Sequence, residues 1–338
     1  MKLNLLYQFN EKYVPYAGVS ITSVLYNNQN AEEINVYVLG EEISGASEEK
    51  LRRTVRSFQR SLFFLDSESL IQKMKELDMP TYRGSYAANM RLFLDEVLDE
   101  TVDKILYLDA DTIVDTDLRE LFSKEMDGKT IGMVMDSLGE SHKFQIGLNK
   151  QDEYFNSGVI LFDMAKWREQ KYSDRIARHV AKVRKHYPAP DQDLLNVVCC
   201  KDILRLDIRY NFQPIHAVFS DKQYYRVMKP IVYYGKEEIS KAREQVAIYH
   251  CFRFLGEFPW HKGNLHPYND VFDKYMQLSL WKDYQKEKAE VGLPIKIEKV
   301  LYRILPKGMF LPVFKVAHAM FINRANEDSL KNETNKLM

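Results

Sequence analysis

Short apolar runs alternate with amphipathic stretches along the first half of the chain. The apolar runs have the length and composition of buried strands, and the stretches between them carry apolar residues at helical spacing. Strands are predicted at Leu3–Tyr7, Ile34–Leu39, Leu62–Leu65, Ile105–Leu108 and Ile131–Val134. A polar turn is predicted over Gln8–Lys12, and helices over Tyr13–Tyr26, Ser47–Gln59, Glu68–Glu76 and Ser85–Leu98. This alternation predicts an α/β fold with a parallel or mixed sheet between helices.

The bulk composition narrows the class of protein. A chain of 338 residues suffices for one large domain with an extension, or for two domains. Lys+Arg and Asp+Glu both number 48, and this zero net charge gives no indication of a nucleic-acid partner. The three cysteines form no CxxC pair, which argues against a zinc knuckle or a disulfide framework. With no signal peptide and no apolar run of about 18 residues, we expect a cytoplasmic protein.

Two carboxylates follow the strand Ile105–Leu108. In an extended backbone residues i and i+2 point to the same side, so Asp109 and Asp111 can converge on one point. A divalent cation with oxygen ligands would offset their repulsion. Such triplets are common in loops, but open α/β sheets bind ligands at this end of a strand. No Gly-x-Gly-x-x-Gly or Walker-type loop is present, so a dinucleotide dehydrogenase and a P-loop hydrolase are both disfavoured.

Three further blocks have a structural and a functional interpretation each. Asn156-Ser157-Gly158 interrupts an apolar strand, either as an ordinary strand start or with Asn156 facing a ligand and Gly158 leaving room for it. Asp191-Gln192-Asp193 begins a helix, with Asp191 as a simple N-cap or with these side chains in a cleft. His250 is either a structural histidine or a third ligand for the cation.

In this order the blocks resemble glycosyltransferase family 8, the retaining enzymes that include bacterial lipopolysaccharide galactosyl- and glucosyltransferases and glycogenin. The resemblance runs from the first strand to about Trp260. The motifs that carry it are Leu106–Asp111, Phe155–Val159, Asp191–Asp193, Arg209–Phe212 and His250 with Pro259-Trp260. It implies a GT-A fold over residues 1–265, a UDP-sugar donor, and Mn²⁺ or Mg²⁺.

The resemblance also assigns expected roles to individual residues. Asp109, Asp111 and His250 match the family's metal ligands. Catalytic positions around the donor sugar, its phosphate and the acceptor match Gln192, Asp191, Asn156, Arg91 and Asp136. Expected UDP-binding positions are Tyr7, Asn10, Lys12, Ala110 and Gly256. Because a neutral amide is a poor nucleophile, Gln192 favours front-face transfer over a covalent intermediate.

The function implied is transfer of glucose or galactose from a UDP-sugar to a glycan or glycolipid acceptor, in cell-surface polysaccharide synthesis. A hydrolase-like or self-glucosylating enzyme is one alternative, and a binding protein that has lost turnover is another.

Two departures from the family pattern matter. Asn10 stands where an Asp is frequent, and Phe258 precedes Pro259 where the family has a phosphate-contacting Lys. Arg253 or Lys262 is a candidate for the missing charge.

The last part of the chain has a different composition. Residues 266–325 are predicted to form a helical, basic-aromatic extension, followed by a disordered tail over 326–338. Residues 299–324 contain five Lys/Arg and no Asp or Glu. This segment either packs on the domain or lies on an anionic lipid surface, at the inner face of the cytoplasmic membrane.

Overall fold

The computed structural model of the protein describes residues 1–82, 84–140, 142–183 and 187–320, so the predicted disordered tail lies outside the described residues. Nine strands occur in these ranges: β1 Lys2–Asn10, β2 Glu33–Glu41, β3 Ser61–Phe64, β4 Lys104–Leu108, β5 Thr112–Val114, β6 Ile131–Met135, β7 Phe155–Asp163, β8 Ile203–Arg205 and β9 Ile248–His250. Seven of them form one sheet in the order β3-β2-β1-β4-β7-β6-β8, and β5 pairs with β9.

The main sheet is mixed, as predicted. Strand β7 runs antiparallel to both β4 and β6, whereas the other neighbouring pairs are parallel. Side chains on both faces of β1 and β4 are buried, which explains their continuous apolar runs. The carboxyl ends of β1 and β4 therefore meet at one edge, where the chain places its polar motifs.

Helices cover the sheet and form the C-terminal region. They are α1 Val14–Asn27, α2 Gly45–Ser57, α3 Ser67–Glu76, α4 Arg119–Phe122, α5 Met164–Glu169, α6 Tyr172–Val183, α7 Pro190–Val198, α8 Pro214–Val218, α9 Asp221–Met228, α10 Lys236–Glu244, α11 Asn269–Leu278, α12 Leu293–Ile304 and α13 over 307–320. Among the described residues, no helix combines the length and apolarity needed to cross a bilayer.

Three local predictions are wrong in detail. Strand β1 continues to Asn10, and the turn is a 3₁₀ helix at Glu11–Tyr13. The segment predicted as the helix Ser85–Leu98 is a 3₁₀ helix at Ala87–Glu96, with a non-helical Phe93 inside it. The N-cap of α7 is Ala189, with Pro190 at the first helical position, so Asp191 lies inside the first turn and does not cap it.

The main core continues beyond the predicted domain boundary at residue 265. Residues of α11 and the indole of Trp281 belong to the same buried cluster as the sheet. A methyl group on Gly18 of α1 would lie 2.0 Å from Trp281 Cζ3, so this helix needs glycine where the indole packs. Residues up to Trp281 are therefore part of the core that supports the sheet.

Replacement of Trp281 by alanine is expected to destabilise the protein by about 3–5 kcal/mol, because a large buried ring is lost against α1. Leu280→Ala is the matched control, since Leu280 is an exposed neighbour. Urea unfolding followed by circular dichroism measures both. Equal midpoints for the two variants would show that Trp281 does not belong to the cooperative core.

A second apolar cluster joins the C-terminal helices to the domain. Phe310 and Leu311 of α13 are fully buried, and they pack with Phe219 and with Phe254 and Leu255. Leu138 lies against the same cluster. One face of the C-terminal segment is thus packed on the domain, as one of the two hypotheses for this segment states.

Candidate active site

Backbone pairing fixes the two carboxylates of the Asp-x-Asp motif beside His250. The amide of Asp109 donates to the carbonyl of Gly158 on β7 (2.8 Å). On the other side, Cys251 N–H donates to the carbonyl of Asp111 (2.7 Å), next to the β5–β9 pair. Residues far apart in sequence are therefore brought to one point by strand pairing.

Asp109, Asp111 and His250 form a compact cluster of ligating atoms. One ligating atom of each residue lies within 4.8 Å of the others. His250 Nε2 is 3.3 Å from Asp111 Oδ1 and 3.5 Å from Asp109 Oδ2. Two carboxylate oxygens and one imidazole nitrogen are a suitable donor set for Mn²⁺, while Mg²⁺ prefers oxygen alone. These residues fit the cation that the sequence predicts.

The electrostatics of the cluster favour positive charge. Burial raises the pKa of the Asp109 carboxyl, but the hydrogen bond from His250 and the charge of Arg91 outweigh it and lower this pKa to about 2. Burial lowers the pKa of His250, but the carboxylates of Asp111 and Asp109 outweigh it and raise this pKa to about 9. The same negative potential that holds a proton on the imidazole would attract a divalent cation in its place.

A chain of hydrogen bonds determines which nitrogen of His250 faces the carboxylates. The Gly158 N–H donates to Asn156 Oδ1 (3.0 Å), so the Asn156 amide nitrogen must point to Asp136 (3.0 Å). Asn211 Nδ2 donates to the same Asn156 Oδ1 (2.9 Å), which turns Asn211 Oδ1 towards His250 Nδ1 (2.9 Å). Nδ1 therefore carries a proton, and in the neutral ring Nε2 keeps its lone pair for a metal.

Gly158 makes room for His250. A Cβ at this position would lie 2.1 Å from His250 Cε1, so no larger residue fits beside the ring. The sequence predicts that this glycine leaves room for a ligand; the structure shows that it clears space for the imidazole. The register shift between β6 and β7 at Met133/Val134 confirms the irregularity expected from the Asn156-Ser157-Gly158 block.

Arg91 connects the carboxylates of the cluster to helix α7. Its guanidinium is buried, pairs with Asp191, and reaches Asp109 Oδ1 (3.3 Å) and Ser157 Oγ (3.1 Å). It also lies over the ring of Tyr107, with Cζ 4.0 Å from the ring centroid. A buried cation between two carboxylates balances the charge that their burial would otherwise leave unpaired.

Arg91→Met is expected to destabilise the fold by about 3–5 kcal/mol, because Asp191 would remain buried without its partner. Arg119→Met is the matched control, since the Arg119–Asp117 pair is partly exposed and solvent screens it, so its loss should change stability little. Chemical denaturation measures both. The double variant Arg91→Met/Asp191→Asn should recover part of the loss; if it unfolds as easily as the single variant, the ion pair is not the cause.

Asp136, Asn156 and Gln192 form the other side of the site. Asp136 Oδ2 accepts from Asn156 Nδ2 (3.0 Å) and from Gln192 Nε2 (3.4 Å), and Asp136 Oδ1 accepts from the amide of Leu138 (2.8 Å). Gln192 Oε1 accepts from the amide of Ser157 (3.0 Å). Ser157 Oγ also donates to Asp191 (2.9 Å), and Asp191 pairs with Arg91, so the network returns to Arg91. The residues expected to be catalytic or metal-binding thus form one closed ring of hydrogen bonds and ion pairs, to which Asp111 is attached through His250.

The five residues expected to bind UDP are placed differently. Asn10 Oδ1, at the end of β1, is a buried acceptor that no described residue satisfies, and Lys12 is exposed on the turn that follows. Ala110 is buried between the two aspartates. Tyr7 is fully buried with its hydroxyl 3.1 Å from Ser20 Oγ, so it offers no atom to a ligand here. Gly256 has a positive φ (+75°) and lies against helix α12, where a Cβ at this position would be 2.9 Å from Ile295 Cγ2.

Several residues of this network were not predicted from the sequence. Tyr107 donates to Asp109, and Asn211 orients His250. Asn211 lies inside the Arg209–Phe212 motif, which was the only signal for it. Around Gln192, Asp193 belongs to the predicted Asp191-Gln192-Asp193 block, whereas Tyr154 and His142 were not singled out.

The comparison with known families agrees with this geometry. The model for Glycosyl transferase family 8 matches residues 4–263, well over half of the chain and all of the residues of the ring. The chain belongs to glycosyltransferase family 8. The resemblance stated from the motifs is thereby confirmed.

Relatives and solved structures extend the match. General stress protein A of Bacillus subtilis (strain 168) is 24% identical over 275 residues, covering 80% of this chain and 92% of the relative. Lipopolysaccharide 1,2-glucosyltransferase of Escherichia coli (strain K12) is 27% identical over 301 residues, covering 87% of this chain and 83% of the relative. The solved galactosyltransferase LgtC, in complex with donor and acceptor sugar analogs, has a TM-score of 0.65 and 22% identity, covering 87% of this chain and 99% of that one. The family 8 chain therefore has the GT-A fold and is a glycosyltransferase.

Proposed function

We propose that this family 8 enzyme transfers a hexose, glucose or galactose, from a UDP-sugar to a glycan or glycolipid acceptor, with retention and with a divalent cation. The observation that carries the proposal is the closed ring itself. It joins a metal-ligand set, Asp109 with His250, to a sugar-facing group, Gln192 with Asp136, at one edge of the sheet. Relatives named as a lipopolysaccharide 1,2-glucosyltransferase and a galactosyltransferase support both the hexose and the kind of acceptor.

The donor nucleotide is assigned to the edge formed by β1 and β4. Asn10 Oδ1 is buried without a hydrogen-bond partner among the described residues, which is costly unless a ligand donates to it. The uracil N3–H or a ribose hydroxyl is a suitable donor. Lys12 is close by on the exposed turn, and Arg253 or Lys262 supplies positive charge to the diphosphate in place of the family's lysine.

The reacting centre is assigned to Gln192. A divalent cation held by Asp109, Asp111 and His250 would supply Lewis-acid stabilisation of the departing UDP. The bond from the anomeric carbon to the phosphate oxygen breaks as the bond to the acceptor oxygen forms on the same face. The acceptor hydroxyl gives its proton to the departing phosphate, while the Gln192 carbonyl stabilises the oxocarbenium-like carbon. Arg91 holds Asp191 and Asp109 in place throughout.

UDP release from a panel of UDP-sugars, with Mn²⁺ and with EDTA, tests this function. Water serves as the acceptor in this assay, so the natural acceptor need not be known. Slow, Mn²⁺-dependent release from UDP-glucose or UDP-galactose is the expected result, and product analysis separates hydrolysis from self-glucosylation. Measurable UDP binding without release from any donor, even when lipopolysaccharide-type acceptors are added, would favour a binding protein.

The acceptor side is proposed to face a membrane. Helix α12 exposes a stripe of apolar side chains at helical spacing: Leu293 (69% exposed), Ile297 (52%), Val300 (52%) and Ile304 (67%). Five Lys/Arg lie between residues 293 and 320, and the single acid there, Glu298, is buried. An apolar stripe with cations matches an anionic lipid surface. Because Leu138, two residues after Asp136, packs on the same C-terminal cluster, a glycolipid held there would be near the site.

Binding to lipid vesicles is expected to depend on this stripe. The variant Ile297→Glu/Ile304→Glu should bind vesicles containing phosphatidylglycerol at least about 10-fold more weakly than the parent, because two exposed apolar side chains that would enter the lipid are lost and two negative charges are added. Ile231→Glu is the control, as Ile231 is 50% exposed outside the C-terminal helices. Co-sedimentation measures both. Equal binding by the double variant, or equal binding of the parent to uncharged phosphatidylcholine vesicles, would contradict the assignment.

A further inference from the structure

The carboxylate of Asp193 is buried and fully occupied by hydrogen bonds. It is 0% exposed. Its Oδ1 accepts from the hydroxyl of Tyr154 (2.7 Å) and lies 2.8 Å from His142 Nε2, while its Oδ2 accepts from the amide of Ala189 (3.0 Å). A carboxylate held in this way has no free path to a bound sugar. Asp193 therefore differs in role from its half-buried neighbour in sequence, Gln192.

The hydroxyl of Tyr154 has a fixed polarity. An ionised carboxylate only accepts, so the Tyr154 proton is committed to Asp193 and the phenolic oxygen must act as an acceptor towards Gln192. Gln192 Nε2 lies 2.8 Å from that oxygen. At the other end of the same amide, the backbone N–H of Ser157 can only donate, and it meets Gln192 Oε1 at 3.0 Å. Both contacts demand the same orientation of the amide.

We propose that Tyr154 and Asp193 are positioning residues that lock the Gln192 amide with its carbonyl oxygen as the group offered to the donor sugar. The proposal rests on the function proposed above for Gln192. With both Nε2 protons directed at Tyr154 and Asp136, the lone pair of Oε1 not used by Ser157 is the electron-rich group available for the anomeric carbon. A flipped amide would present N–H groups there and would repel a carbon that gains positive charge.

The kinetics of Tyr154→Phe test whether Tyr154 positions the Gln192 amide. The ring stays and only the hydroxyl is lost, so we expect kcat for UDP release to fall about 10- to 100-fold with the KM for the UDP-sugar changed less than about 2-fold. Tyr172→Phe is the matched control, because Tyr172 is a buried tyrosine whose hydroxyl also donates to a carboxylate, that of Asp202, at 2.7 Å. An equal fall of kcat in the control, or an effect of Tyr154→Phe on KM alone, would overturn the proposal.

A double-mutant cycle separates positioning from general loosening. Asp193→Asn can donate to Tyr154 and turn the tyrosine proton towards Gln192, in conflict with Ser157. If both residues act through Gln192, the double variant Tyr154→Phe/Asp193→Asn should have a kcat no lower than that of the worse single variant. Multiplicative losses in kcat would show independent effects and would overturn the lock.

NMR of the Gln192 side chain tests the positioning of its amide without an activity assay, and so separates this proposal from the proposed function. In protein labelled with ¹⁵N-glutamine, the side-chain amide signal of Gln192 is assigned from its absence in Gln192→Met. We expect Tyr154→Phe to shift this signal and to speed its hydrogen exchange, while Tyr172→Phe leaves it unchanged. An unaltered Gln192 signal in Tyr154→Phe would overturn the proposal, whatever the enzyme transfers.

Discussion

Asp111→Asn is expected to lower kcat/KM for the UDP-sugar by at least about 10³-fold, or about 4 kcal/mol of transition-state stabilisation. Asparagine keeps the shape of the side chain but removes the charge that lies 3.3 Å from His250 Nε2. The cluster would keep one carboxylate and one imidazole, which is too weak a set for a labile divalent cation in water. Initial rates of UDP release at saturating Mn²⁺ measure the effect.

The matched control for this variant is Asp117→Asn. Asp117 lies six residues further along the same segment and pairs with Arg119 at the surface. Its replacement should leave kcat/KM within about 2-fold, because an exposed pair contributes little. If Asp111→Asn retained a tenth or more of the parent's activity, the cation would not be needed at this cluster.

Gly158→Ala is expected to have the second largest effect, although it adds only one methyl group. The new Cβ would lie 2.1 Å from His250 Cε1, and its chain neighbours are held in strand β7, so the imidazole must move away from the two carboxylates. We expect Mn²⁺ affinity to fall by about 10- to 100-fold, as when the support of a metal ligand is lost. Calorimetric titration of Mn²⁺ in the presence of UDP measures it.

Two comparisons show whether the effect of Gly158→Ala runs through His250. The variant Gly132→Ala, on the neighbouring strand β6, places a methyl group 3.1 Å from the flexible side chain of Leu206 and should bind Mn²⁺ like the parent. Gly158→Ala/His250→Ala should bind no more weakly than His250→Ala alone, since the displaced ring is already absent. A further drop in the double variant would place the damage elsewhere in the sheet.

Local patterns were sufficient to locate the five strands predicted in the main sheet, although β1 runs past its predicted end to Asn10. The apolar run before Asp109 predicts a buried strand, and the structure agrees because a buried strand needs little beyond its own residues to specify it. The two aspartates converge as expected, but not through an extended backbone: they lie in a turn in which the Thr112 N–H donates to the carbonyl of Asp109 (3.1 Å). The prediction for Asp191 shows the opposite case. An Asp at a helix start is often the N-cap, so the sequence favoured that role for Asp191. In the structure Pro190 takes the first helical position that it prefers, and Asp191 lies inside the first turn, paired with Arg91.

Contacts between distant segments were beyond local patterns. Asn211 is significant only because β9 brings His250 next to it, and Gly158 only because the imidazole fills its missing side chain. Neither pairing leaves a periodic signal in the sequence. For the C-terminal segment, the structure agrees with the hypothesis of packing on the domain, through Phe310 and Leu311. Its outer face exposes the apolar stripe of α12, on which the proposal of a lipid contact rests.

Asp109, Asp111 and His250 are proposed to hold a divalent cation beside the sugar nucleotide. Electron paramagnetic resonance tests it directly, because free Mn²⁺ gives a sharp six-line signal that is lost on binding. Titrating Mn²⁺ into the full chain with UDP present, we expect one tightly bound ion per chain in the parent and none in Asp111→Asn. Unchanged binding in Asp111→Asn, or no tight binding in the parent, would contradict the account.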